Sequence, residues 1–196
     1  MSGSPDFAGP PDEFLDYYTD HKSDIMVAAA FGVIAVLFLV WFLGSVSTML
    51  RNAEGGDGRV AMIATIGGAI GAVSWLAGMC AWIMPALRID EQGEVSSELA
   101  TMFGDLSNIL IGVAAPVGFG VLLLASAVLG FRVRAVPLWL AWVSLAAGLV
   151  MEIPWISFVG IFLFPLWALV VSIILLMRGG AFTRTTVATP EGRVGV

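Results

Sequence analysis

Histidine, lysine and cysteine each occur once in these 196 residues, as His21, Lys22 and Cys80. A single histidine excludes a bis-histidine haem site and an HExxH zinc pair. The lone lysine precedes the first apolar run, so no membrane-buried amine is available to hold retinal. Cys80, alone inside an apolar run, says nothing about disulfides. No GxSxG elbow and no pair of aspartates within an apolar run occurs, and Ser74, Ser107, Ser126, Ser144 and Ser157 have no histidine or lysine nearby to act as base. The reading is a non-enzyme without a cofactor.

Charge is also scarce. Only 12% of the residues are charged and 59% are hydrophobic, against about 25% and roughly 45–50% in soluble domains. A chain this small has too little interior to hide that much apolar surface. The excess is gathered into five runs, at 25–48, 60–87, 106–131, 136–153 and 155–177. Runs of about 18 or more apolar residues match a hydrocarbon layer about 30 Å thick, and in lipid they must be helices to satisfy their own backbone. The expected fold is therefore all-α, a polytopic bundle of five transmembrane helices.

The cations orient it. Arg51, Arg59, Arg132, Arg134, Arg178, Arg184 and Arg193 fall on one side of such a bundle, and only Lys22 and Arg88 on the other. Because cytoplasmic loops carry the Lys/Arg excess, the N-terminus is expected outside and the C-terminus in the cytoplasm. Twelve of the fifteen acids, from Asp6 to Glu152, then lie outside or at the outer edge, and that field argues against nucleic acid as a partner. The first 24 residues are acidic and lack a basic n-region, so the first run is expected to be an uncleaved anchor. The chain divides into an acidic leader (1–24), the bundle (25–177) and a disordered cytoplasmic tail (178–196).

Two segments outside the runs are patterned. In the leader, Phe14, Tyr18, His21 and Ile25 recur at helical spacing, with Asp12, Asp16, Asp20 and Asp24 on another face. In the second loop, Val95, Leu99, Met102, Phe103 and Leu106 form a stripe beside Glu91, Glu94 and Glu98, which reads as a helix lying on the outer membrane surface. Asp12, Asp16, Asp20, Glu94 and Glu98 are weak candidates for a divalent cation; without EF-hand spacing, solvated helix faces are the simpler reading.

Small residues recur four apart in the second run (Gly67 and Gly71; Ala64, Gly68 and Ala72; Ser74 and Gly78) and in the third (Gly112, Pro116 and Gly120; Ala114 and Gly118). Such lines let helices approach closely in lipid. Pro116 reads as a kink or as the break of a transport-type helix. Trp82 and Trp155 suit the outer interface, Trp41, Trp139 and Trp142 the inner half, and Trp75 and Trp167 the interior.

Between Arg134 and Arg178 lie 43 residues, of which only Glu152 is charged. A fourth helix rising from Val136 brings Glu152 about 25 Å up, to the outer edge of the hydrocarbon, and Pro154 then forces a turn. Three roles fit it: a boundary residue, a partner for Arg88, or an ion or proton site. A lipid-acting pair of Asp105 and Glu152 is a more remote reading.

The acidic aromatic leader, the stretch WFLGSVSTMLRNAEGG (41–56) and the stretch VPLWLAW (136–142) resemble uncharacterised multi-pass membrane proteins of actinobacterial type. The resemblance implies a helical fold in a bacterial plasma membrane and carries no activity. Eight arginines against one lysine fit a GC-rich genome. The chain is thus expected to be a subunit or scaffold packing through Gly-rich helices against itself or another membrane protein, or else a small cation or proton pathway through Glu152.

Overall fold

The computed structural model describes residues 10–153 and 156–182. The first nine residues of the leader, Pro154 and Trp155 of the predicted turn, and residues 183–196 of the predicted tail lie outside them. The described residues are helical throughout, with no strand among them. A short helix α1 (Pro11–Asp20) carries Pro11 at its start and Asp12 and Glu13 in its first turn, the residues that suit a helix N-terminus. It breaks at His21, whose Nδ1 lies 3.1 Å from the Tyr17 carbonyl, and α2 (Lys22–Glu54) follows at once.

The next turn is built from glycine. Gly55, Gly56 and Gly58 all have positive φ, a backbone region that side chains penalise. The reversed chain lets Glu54, at the end of α2, accept hydrogen bonds from the backbone N–H groups of Val60 (3.0 Å) and Ala61 (2.8 Å) at the start of α3 (Arg59–Gln92). A carboxylate on these first free N–H groups closes the hairpin and caps α3 together.

The chain then runs through α4 (Ser97–Ile109), a π-helical turn (Leu110–Ala114) and α5 (Ala115–Val133) as one continuous rod. Four helical segments are long and apolar enough to cross a membrane, namely Lys22–Glu54, Arg59–Gln92, Ser97–Val133 and Ser157–Met177. The predicted fourth run forms only the 14-residue α6 (Leu138–Met151), about 21 Å long and short of the roughly 30 Å layer. After a 3-10 turn (Ser157–Val159), α7 (Gly160–Phe182) continues five residues past the predicted end at Met177.

α3 and α5 form the centre, and glycine is the reason. A Cβ placed on Gly118 would collide with the Gly71 backbone nitrogen, and one on Gly67 would lie 2.9 Å from the Gly118 carbonyl. Backbone meets backbone there, which is the close approach that small residues permit in lipid. α2 flanks this pair on one side and α6 on the other, around a core that includes Leu50, Leu122, Leu123, Leu140, Met151 and Trp167. The glycine lines are spent within this chain: Gly78 faces Ile111, Gly120 faces Glu152 and Gly130 faces Ala141, while Gly112 has open space before it.

At 33, 34 and 37 residues, α2, α3 and the α4–α5 rod are about 50–55 Å long, some 20 Å more than the hydrocarbon requires. The surplus of α3 and α4, with α1 laid against them, makes a second small core of Phe14, Tyr18, Ile25, Ala86 and Ala100. The Lys22 ammonium meets Asp90 at 2.7 Å on its surface. Here the expectation of a helix lying flat on the membrane is corrected, because α4 continues the axis of α5. Its inward face is Ala100, Gly104 and Ser107, while Met102 and Leu106 point outward. Phe14 fills the notch at Gly104, which no larger residue would leave open.

Candidate functional site

In an α-helix the carbonyl of Gly112 would receive the N–H of residue 116, and residue 116 is proline, which has none. The helix responds with the π turn, in which Ala115 N–H reaches back to the Leu110 carbonyl. The Ser157 hydroxyl, fully buried, donates to the Gly112 carbonyl at 2.6 Å. Pro116 therefore follows a π turn in a helix that stays continuous, and the acceptor it leaves at Gly112 is met from another segment of the chain. Gly160 packs onto the same place, 3.4 Å from Pro116 and 2.9 Å from Met151 by its hypothetical Cβ. The α6–α7 hairpin therefore turns at the level of Pro116.

Glu152 stands at the tip of that hairpin, as the C-terminal cap of α6. A Cβ on Gly120 would lie 2.7 Å from its Oε1, so the carboxyl lies in the notch left by a missing side chain. Oε1 is buried and has no hydrogen-bond partner. The depth follows from counting along α5, where Gly120 is twelve residues from Arg132 and fifteen from Asp105. At 1.5 Å per residue those are about 18 and 22 Å. The level of Glu152 on the rod thus falls between Asp105 and Arg132, within a stretch that carries no charge. α6 ends at Met151, whereas the α4–α5 rod runs on past Gly120 as far as Ser97.

The same count separates Glu152 from its proposed partners. On α3 the level of Gly118 and Phe119 is met by Gly71, and Arg88 lies 17 residues, about 25 Å, further out. Arg88 donates instead to Gln92 Oε1 at 3.0 Å. Asp105 is likewise about 22 Å away, so no Asp105–Glu152 pair exists. Asp12, Asp16, Asp20, Glu94 and Glu98 are exposed, and no group of three or more His, Cys, Asp or Glu side chains among the described residues is arranged to hold a metal.

A second buried polar contact joins α6 and α7. Trp167 donates its indole N–H to Ser144 Oγ at 2.7 Å, and Ser144 donates to the Leu140 carbonyl at 2.7 Å, tying α7 to α6. Trp167 is buried as expected, Trp75 half-buried, and Trp41, Trp139 and Trp142 face outward. The serines had been dismissed for want of a base, and their role as donors was missed. The signal for Ser157 was available, since a proline four residues after Gly112 announces a carbonyl in need of a donor.

No protein-family model, curated protein or solved structure matches the chain.

Proposed function

We propose that the chain is a non-enzymatic integral membrane protein of a bacterial plasma membrane that exchanges protons at Glu152 and so moves them across the layer. The observation that carries this is the buried, unpartnered Oε1 of Glu152 in the notch at Gly120. An ionisable group inside hydrocarbon is costly and must find a proton, a cation or water, which is why such residues mark pathways. Its setting fits: a π turn at Leu110–Ala114, a carbonyl that Pro116 leaves for Ser157 to satisfy, and a hairpin tip, the kind of irregular helix geometry found at functional sites. In this reading α6 and α7 form the fourth and fifth membrane segments, with the arginine-rich ends in the cytoplasm and the acidic α1–α4 headpiece outside. That headpiece raises the local cation concentration at the entrance.

Proteoliposomes carrying an internal pH dye test it. Under an imposed pH gradient the wild type is expected to dissipate the gradient faster than empty vesicles, and Glu152→Gln to return the rate to theirs. Equal rates for wild type and variant overturn the proposal, and a flux that follows sodium or potassium instead makes Glu152 a metal-cation site.

The subunit or scaffold reading keeps one observation in its favour. α2 buries only a thin edge of its length, and Gly44 faces open space. Disulfide trapping through Gly44→Cys with Cys80→Ser would report a second copy there, and strictly monomeric protein would end that reading.

A further inference from the structure

Between α2 and α7 the bundle leaves an open-sided groove of about 430 Å³. Ala35 and Phe42 of α2 and Ala168 of α7 line its mouth, while Trp75, Phe119 and Phe164 close its back; no charged side chain borders it. Ala35 on α2 and Ala168 on α7 are among the small residues of its lining. Phe42 lies nine residues from Arg51 and Ala35 eleven from Asp24, about 13 and 16 Å from the charged ends of α2. The groove is therefore confined to the depth of the hydrocarbon, and the medium at its mouth is lipid chain.

Two properties distinguish it from an ordinary lipid-facing surface. Its wall is preformed, because Phe119 and Phe164 stack with centroids 3.8 Å apart at 9°, and Phe164 and Phe42 both contact Trp167. A rigid concave wall needs little ordering when a ligand enters. Left empty it would forfeit dispersion contacts along its lining, and an apolar hollow does not hold water. We propose that this groove binds one hydrocarbon chain of a membrane lipid as a retained ligand. The proposal is independent of the role of Glu152.

The test starts from protein reconstituted in dioleoyl phosphatidylglycerol vesicles, re-extracted in mild detergent, washed and weighed by native mass spectrometry. The wild type should keep one lipid per chain, and Ala35→Phe with Ala168→Phe, which fills the mouth, should lower that retention about tenfold or more. Wild type without an adduct, or a folded variant that retains lipid equally, overturns the proposal. A second measurement does not rely on that variant. In vesicles of brominated phosphatidylglycerol, the fluorescence lost between wild type and Trp75→Phe should come from a strongly quenched tryptophan. An unquenched Trp75, or a lipid-free dimer that shields it, refutes the proposal.

Discussion

Removing the Ser157 hydroxyl isolates the consequence of Pro116. In Ser157→Ala the Gly112 carbonyl loses the donor at 2.6 Å, and the proline at 116 offers no replacement. An unsatisfied buried carbonyl costs about 1–3 kcal/mol in general. Interhelical hydrogen bonds in membranes average about 0.6 and reach about 1.7 kcal/mol, because the reference state finds other partners. Here the natural partner is absent by construction, so the upper end applies, about 1.5 kcal/mol or roughly tenfold in the unfolding equilibrium. Equilibrium unfolding in mixed micelles, followed by circular dichroism, reads this directly. The decisive step is Pro116→Ala, which returns an N–H to the helix. In that background Ser157→Ala should cost only a few tenths of a kcal/mol, a coupling of about 1 kcal/mol. Additive costs, or a Ser157→Ala loss below about 0.3 kcal/mol, would refute the reasoning.

Further outcomes follow from the same contacts. Gly118→Ala puts a methyl against the Gly71 backbone and should destabilise by about 1–3 kcal/mol or more, whereas Gly112→Ala enters open space and should be nearly neutral; mixed-micelle unfolding separates the two. Phe14→Ala empties the Gly104 notch and should cost about 3–5 kcal/mol of headpiece stability, exposing α1 to proteases while the membrane core holds. Burial pushes the Tyr18 phenol above its usual value of 10, with the neighbouring Tyr17 adding to the shift. A raised folded-state value means this contribution is intact below pH 10 and is lost as pH climbs beyond it. Alkaline loosening of α1, read by proteolysis, should therefore shift to higher pH in Tyr18→Phe.

The helical fold was legible because lipid leaves the backbone no alternative to helix. The leader helix was legible too, since Phe14, Tyr18 and Ile25 keep a strict period and all three are buried. α4 was misread for a physical reason: hydropathy picks out Met102 and Leu106, but α4 packs through Ala100 and Gly104, where small size matters more than apolarity. The neighbours of Glu152 were less legible. Counting from Val136 treats every apolar run as a full crossing, whereas register across the Gly67–Gly118 contact sets Glu152 by its neighbours on α5. The glycine lines were visible in sequence, but not that their partners lie within the same chain. The tie between Ser157 and Gly112 spans 45 residues: Pro116 announces locally that the Gly112 carbonyl needs a donor, but not that Ser157 supplies it.

The central claim is that Glu152 holds a carboxyl inside the bundle, with its Oε1 buried and unpartnered. Carbodiimide labelling tests this most directly, comparing a lipid-soluble reagent with a water-soluble one on protein in vesicles and mapping modified peptides by mass spectrometry. The account predicts that the lipid-soluble reagent modifies Glu152, that the water-soluble one modifies surface acids such as Asp12 and Glu98 and spares it, and that Glu152→Gln abolishes the first signal. Labelling of Glu152 by the water-soluble reagent to the same extent as Asp12 would contradict it.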